Sequence, residues 1–565
     1  MPLYQIAFAL FLCIGTWICG AGRPAVPARN GMVVSGQGLA SQVGVDILKQ
    51  GGNAVDAAVA VGFALTVVHP AAGNIGGGGF MVIHEASSGR DYSLDYRETA
   101  PASAHRNMYL DAAGNVREGL STRGHLASGV PGSVAGMHLA WSKFGKLQWA
   151  RLIGPATRLA REGFTVSSAL ERSLLKYRER LYLCRESRRV FLRDGEPYRE
   201  GDILRQPDLA NTLERIAQDG PGAFYQGVIA DRIVDDMKAH GGRLTRQDLA
   251  NYRSLWREPV RGSYRGYEIV SMGPPSSGGV VLLEMTNLME AFPVAQLGFN
   301  SSLFLHLKAE VMRLAFADRA AFLGDTDFSS VPVDELISKS YATRRRKRID
   351  KQWAAPSTVE SRGEPSRSES RETAHYSVVD KEGSAVAVTT TINGSYGSGV
   401  TIRGAGFLMN STMDDFTVKP GVPNMFDLIQ GEANTIASGK RPLSAMTPTL
   451  VKKDSAVFLV LGSRGGPAII NTVFQALLNV IDFDLDIQRA IDAPRIHHQW
   501  LPDRIEAEPD AVVRDTEIAL QEKGHRLIIR DEQIGEANSI LVELGSGIRW
   551  GAADPRGAES QAVGY

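Results

Sequence analysis

The chain has 565 residues, 43% of them hydrophobic and 22% charged, with 62 basic and 62 acidic side chains. That length supports more than one packed layer, and the composition is that of a globular protein. A formal charge of zero argues against a general nucleic-acid or anionic-membrane surface. Local basic runs exist, notably Arg344 to Arg348, which reads as a solvated helix end.

Ile6 to Ile18 is apolar and is followed by Gly20-Ala21-Gly22. This is the length of a signal-peptide core and too short for a spanning helix. Met1 to Gln5 carries no Lys or Arg. A cleaved export signal over residues 1–22 is expected, with an uncleaved anchor as the alternative. Cleavage would leave a periplasmic or secreted protein with no membrane association. Cys13 and Cys19 lie in this segment, so Cys184 has no partner for an internal disulfide.

Two helices are predicted first, at about Ala40–Lys49, stopping at Gly51-Gly52-Asn53, and at Ala54–Val68. The second is apolar on nearly every face and reads as a buried core helix. The glycine run Gly76 to Gly79 lacks the Lys-Ser/Thr of a phosphate loop, and no strand precedes it at dinucleotide-binding spacing. Its glycines instead let backbone pack close to another segment. Phe80–His84 and Asp91–Tyr96 alternate as paired strands. Arg97 at the end of the second could be an exposed charge or a bidentate carboxylate clamp.

From Gly132 to about Ala342 the pattern is mostly helical, without paired catalytic residues, metal-ligand spacing or a repeat. Pro274 to Gly279 interrupts it before a helix at Val280–Glu290, and Leu303–Leu323 is a further long helix. Residues 352–372 are rich in Ser, Arg, Glu and Pro and cannot bury enough surface to order themselves. A flexible strip ending at Thr373 suits self-cleavage, although composition alone favours a plain linker.

Beyond the strip the pattern changes. Ala374–Asp380 and Ala385–Ile392 are predicted strands joined by the hairpin signal Lys381-Glu382-Gly383-Ser384. If paired residue numbers sum to 764, Thr373 faces Thr391; if they sum to 765, Thr391 faces Ala374. Further on, Ala456–Leu461 is a strand, and Gly462 to Pro467 is a glycine turn feeding a helix at Ala468–Ile481. Backbone N–H groups at such a turn can bind an anion or an oxyanion. His497-His498 resembles a metal pair, but adjacent strand residues point to opposite faces and no ligand cluster accompanies them.

Several motifs, in order, resemble those of the gamma-glutamyltranspeptidase family. They are Thr373-Ala374-His375-Tyr376-Ser377, Thr389 to Asn393, Met413-Asp414-Asp415-Phe416, Arg441-Pro442-Leu443-Ser444, Gly465-Gly466, Ala493-Pro494-Arg495 and Asp554-Pro555-Arg556. The resemblance runs from about Gly31 to Tyr565. It implies an α+β fold, the four-layer αββα sandwich of N-terminal-nucleophile hydrolases. It also implies a precursor cut between Glu372 and Thr373 into a large subunit (23–372, ending in the linker) and a small subunit (373–565).

The resemblance assigns roles as well. Thr373 would be the nucleophile and its freed α-amine the base; Thr391 would orient the hydroxyl; the N–H groups of Gly465 and Gly466 would form the oxyanion hole. Arg97 and Ser444 would hold the substrate α-carboxylate, and Asn393 and Asp415 its α-ammonium. The implied reaction is hydrolysis of glutathione and related gamma-glutamyl amides, or transfer to an amino-acid or peptide acceptor, with no cofactor and no metal.

This chain departs from common family patterns at four positions: Ala445 for a Ser, Thr412 for a Gln, Phe426 for the Tyr of the lid loop Pro420–Gly431, and Ala374 for a Thr. An amide acylase of the same superfamily, taking glutaryl or cephalosporin-type side chains, is the close alternative. A glutaryl group lacks the ammonium that Asp415 would pair with. The remaining alternative is an inactive exported binding homologue, against which Thr373, Thr391 and the glycine pair together argue.

Overall fold

The structure is a computed structural model that describes residues 23–73, 75–357 and 373–565. The expected signal segment 1–22 lies outside these residues, as does the expected linker from residue 358 onward. Residues 352–357 are tied down: the Ala354 N–H donates to the Lys523 carbonyl at 2.7 Å, and the Ser357 N–H donates to Asp503 Oδ2 at 2.9 Å.

Two seven-stranded antiparallel sheets stack face to face between two helical layers, the expected αββα sandwich. The first sheet runs in the order Gln561–Gly564, Met32–Ser35, Ala374–Val379, Ala385–Thr391, Gly78–Glu85, Arg90–Tyr96 and Leu255–Arg257. The second runs Val26–Ala28, Arg549–Ala552, Ser539–Val542, Ala456–Leu461, Thr449–Lys453, Tyr267–Ser271 and Val260–Tyr264.

Strand periodicity accounts for the layers. Successive side chains alternate faces, and here both faces are covered, so the central strands are buried on both sides and even polar members such as His375 and Ser377 are enclosed. Val34, Phe80, Val82, Ala385 and Ala387 meet Val270, Leu450, Val460 and Ile540 between the sheets. Val33, Met81, Ile83, Val386 and Val388 face the helix Ala54–Val68 and its neighbours. On the far side, the helices Gly278–Met289, Ser302–Phe322 and Ala468–Ile481 pack on Ile269, Val451, Leu459 and Leu461.

The helix Ala54–Val68 is buried along its whole length, as its composition predicts, and begins with a capping box between Asn53 and Asp56. The strands Leu255–Arg257, Val260–Tyr264 and Tyr267–Ser271 interrupt the helices of the 132–342 stretch. Arg261, Glu268 and the half-buried Tyr267 break the apolar pattern because these strands lie at or near sheet edges. The basic run is also only partly solvated, since Arg345 pairs with Asp318 at 2.6 Å.

The hairpin register places the candidate nucleophile. Ala374 pairs with Thr390 and His375 with Thr389, so the numbers sum to 764 and Thr373 lies across from Thr391. The glycine run sets the other flank. Thr391 pairs with Gly78, and a Cβ on Gly77 would sit 2.1 Å from the Thr391 carbonyl oxygen. Gly77→Ala is therefore expected to push back the strand that carries Thr391, costing roughly 1–3 kcal/mol. A chemical-denaturation midpoint equal to that of the parent protein would contradict this close approach.

Candidate active site

Thr373 stands at the head of a central strand, buried at the floor of a pocket. Its Oγ1 donates to Thr391 Oγ1 at 3.4 Å. The same Thr391 oxygen accepts the Asn393 N–H at 2.8 Å, which holds it in place. Asn393 turns out of the strand with φ of 76°, a conformation Asn tolerates better than most residues. Its Nδ2 donates to the Ser411 carbonyl at 2.9 Å.

Arg97, Asn393, Asp415 and Ser444 all line this pocket with Thr373, Thr391 and Gly466. Arg97 is fully buried rather than exposed. Its Nη2 donates to Asp415 Oδ2, its Nη1 to Glu98 Oε2 at 3.2 Å, and its Nε to the Pro442 carbonyl at 3.3 Å. The residues expected to grip opposite ends of a substrate thus pair with each other.

Glu98 competes for the same guanidinium. Burial pushes its carboxyl up to about 7, with the Arg97 charge opposing. Its Oε1 has no hydrogen-bond partner, and Gly78 leaves the room it occupies, since a Cβ there would lie 2.6 Å from Glu98 Oε2. Burial also raises the Asp415 carboxyl, with Arg97 again opposing. Burial works against the Arg97 charge, but the Glu98 and Asp415 carboxylates outweigh it and hold the group above its ordinary value.

A second guanidinium, which no motif marks, reaches the pocket from the helix Ser302–Phe322. Arg319 donates through Nε to Ser277 Oγ at 2.9 Å and through Nη1 to Gln430 Oε1 at 3.4 Å. Burial pulls it down to about 10, against the pull of the Asp415 charge. Ser277 Oγ in turn donates to the Ser444 carbonyl at 2.7 Å. The Ser444 hydroxyl accepts the Met446 N–H at 3.1 Å, leaving its own proton to donate. The only hint of Arg319 in the sequence is a cation in a mostly apolar helix.

The glycine turn divides. Gly466 lines the pocket beside Thr373, whereas Gly465 lines a separate cavity with Arg464, Gly535 and Arg556. Both have positive φ, 126° and 56°. Their N–H groups donate to no acceptor among the described residues, as an oxyanion hole requires.

Of the departures, Ala445 and Phe426 line the pocket. Thr412 does not; its hydroxyl donates to Asn410 Oδ1 at 2.6 Å. Asp414 is structural, accepting from Ser121 Oγ at 2.6 Å and from the Met425 N–H at 2.9 Å, which ties the loop carrying Phe426 to the turn carrying Asp415. His497 and His498 diverge. Asn471 donates to the first at 2.7 Å, and the second lies 3.3 Å from Asp503.

The family model of gamma-glutamyltranspeptidase matches residues 40–564. The chain belongs to the gamma-glutamyltranspeptidase family. It is 45% identical to the glutathione hydrolase proenzyme of Escherichia coli K12, covering 100% of this chain and 99% of that protein. It is 38% identical to the Acylase ACY 1 proenzyme of Pseudomonas sp. SE83, over 92% of this chain and 90% of that one. Among solved structures, a cephalosporin acylase from Bacillus halodurans superposes with a TM-score of 0.86 at 30% identity, covering 98% of each chain. The family's sandwich and the fold described above agree.

The Glu98 carboxyl makes a pH-dependent prediction. Its folded value of about 7 lies above its ordinary 4.5. The folded protein therefore holds a proton that the unfolded chain has released, and this contribution to stability declines as pH rises from about 4.5 to about 7. Glu98→Gln should flatten that part of the decline in a pH series of denaturation midpoints. Parallel curves for the two proteins would contradict it.

Proposed function

We propose that this chain is a precursor that cleaves itself between Glu372 and Thr373 and then, with both pieces held together, hydrolyses or transfers gamma-glutamyl groups, glutathione being the reference substrate. The observation that carries this reading is the position of Thr373. It lies at the head of a central strand, bonded to Thr391 and facing a pocket whose charges suit an amino-acid zwitterion.

The chemistry follows from these groups. A threonine hydroxyl needs a base, and the α-amine freed by cleavage has a pKa of about 7.7–8.0, so part of it is neutral near pH 7. That amine, directly or through a water, takes the Thr373 hydroxyl proton as Oγ1 attacks the gamma-carbonyl. Thr391 orients Oγ1, and the β-branch of Thr373 restricts χ1. The N–H groups of the Gly465-Gly466 turn receive the developing oxyanion. Expulsion of the amine, protonated by the same base, leaves a gamma-glutamyl ester on Thr373. Water then gives glutamate, or an acceptor amine gives a new gamma-glutamyl compound.

Substrate binding exchanges partners within the Arg97–Asp415 pair. The substrate carboxylate takes Arg97 and the Ser444 hydroxyl, with Arg319 adding positive charge behind them. The ammonium takes Asp415 and Asn393. Each buried charge keeps an opposite partner throughout, which limits the desolvation cost. The acylase named among the relatives supports a second reading, in which Ala445 and Phe426 reshape the pocket for an acyl group without an ammonium. Asp415, set against the pocket cation, favours the gamma-glutamyl reading. An export signal and a periplasmic location complete the proposal; among the described residues no helix is long and apolar enough to cross a membrane.

A denaturing gel of wild type against Thr373→Ala, with chromogenic gamma-glutamyl and glutaryl anilides, tests this reading. The wild type should run as two fragments and release amine from the gamma-glutamyl compound; Thr373→Ala should run as one band and release none. Turnover of the glutaryl compound alone would favour the acylase. Ala445→Ser should restore a carboxylate donor worth about 0.5–1.5 kcal/mol. It should lower KM for the gamma-glutamyl anilide by about two- to tenfold with kcat little changed. An unaltered KM would exclude that position from carboxylate binding.

A further inference from the structure

A second constellation lies in the large-subunit half, among residues the proposed mechanism does not use. Asp236 and His240 stand one turn apart at the C-terminal end of the helix Val228–Ala239, so they share one face. His125 reaches them from a one-turn helix, His125–Ala127, more than a hundred residues earlier in the chain. A ring nitrogen of each histidine and a carboxylate oxygen of Asp236 lie within 4.8 Å of one another. The two imidazoles stack, with centroids 4.6 Å apart and planes 15° from parallel.

Two of the polar atoms at the centre make no hydrogen bond. The His125 and Asp236 side chains are only 10% and 9% exposed. His125 Nε2 and Asp236 Oδ2 are buried without a hydrogen bond, although they lie 3.5 Å apart. Buried polar atoms are nearly always paired, and a charge-assisted hydrogen bond would draw these two to about 2.7–2.9 Å. On the other side, His240 Nδ1 donates to the Asp236 carbonyl at 2.9 Å, which leaves Nε2 as the ring nitrogen able to ligate. Two ligands of a tetrahedral ion at about 2.0–2.2 Å stand roughly 3.4 Å from each other, and the 3.5 Å between His125 Nε2 and Asp236 Oδ2 has that spacing.

We propose that His125, Asp236 and His240 bind one divalent transition ion of the zinc type. Two imidazoles and a carboxylate are the donors that such an ion takes, whereas calcium and magnesium prefer all-oxygen sites. Three protein ligands leave a position for water. The ion cross-links the end of the helix to the segment that supports the active-site turn. In that segment the Gly124 N–H donates to the Ser398 carbonyl at 2.9 Å, and the Gly129 N–H donates to Asn410 Oδ1 at 2.9 Å. Asn410 Oδ1 also accepts the Thr412 hydroxyl, at the start of the turn Thr412–Asp415. The site is a structural clamp and takes no part in the reaction.

The test uses the purified, untagged full-length product, stripped with a chelator and freed of it, then titrated calorimetrically with zinc sulfate and followed by thermal unfolding. Cobalt(II) serves as a visible-absorption probe of tetrahedral geometry. The proposal expects saturable binding of one ion per chain, a rise in Tm on binding, and a tetrahedral cobalt spectrum. His240→Ala removes an exposed ring, so its fold is expected to survive, with amine release from the gamma-glutamyl anilide as the check. This variant and Asp236→Asn should each weaken zinc by about tenfold or more and abolish the Tm rise. No saturable binding at one equivalent, or both variants binding zinc as wild type does, would overturn the proposal.

Discussion

The pairing of Ala374–Val379 with Ala385–Thr391 is the constraint on which the site depends. Its register places the two hydroxyls opposite each other. A slip by one residue would turn Thr391 toward Ala374 and send each side chain of the strand to the other face. Both faces are buried, one against helices and one against the second sheet, so a slip is blocked on both sides. His375 adds to this lock. A Cβ on Gly462 would lie 2.1 Å from its ring; the ring bonds Thr389 at 2.9 Å, and burial pulls it down to about 3, keeping it neutral.

Around that frame the polar groups form one connected set. Arg97 joins Asp415 to Glu98, and Arg319 joins Gln430 to Ser277 and through it to Ser444. Gln430 and Asn434 both donate to the Asp415 carbonyl, at 3.0 and 2.7 Å. A buried ion pair is weak evidence for stability, because desolvation offsets most of the attraction. Here the pair has a clearer use: it keeps two complementary charges ready in a site that must accept a molecule carrying both.

Much of this was legible in the chain. The hairpin, the buried helix Ala54–Val68 and a glycine run packed close to another segment follow from periodicity, turn chemistry and the absence of side chains. The motifs carried the rest of the expected pocket, and Arg97, Asn393, Asp415 and Ser444 converge there. What escaped depended on contacts between distant segments. The direct Arg97–Asp415 bond, the competition from Glu98 and the arrival of Arg319 each need the folded neighbourhood. Gly465 and Gly466 are adjacent in sequence yet line different cavities. The strands between Leu255 and Ser271 were hidden because exposed charges on outer strands mask the apolar period. Asp236 and His240 have helical spacing, but a pair at that spacing is commonplace until His125 joins it.

The central claim is that Thr373 is both a new N-terminus and, through its Oγ1, the residue that carries the acyl group. Peptide mass spectrometry of the small subunit, after reaction with an electrophilic gamma-glutamyl analogue, tests both halves at once. The account predicts an N-terminal peptide beginning Thr-Ala-His-Tyr-Ser with the adduct on Thr373. A different N-terminus, or an adduct on any other residue, would contradict it.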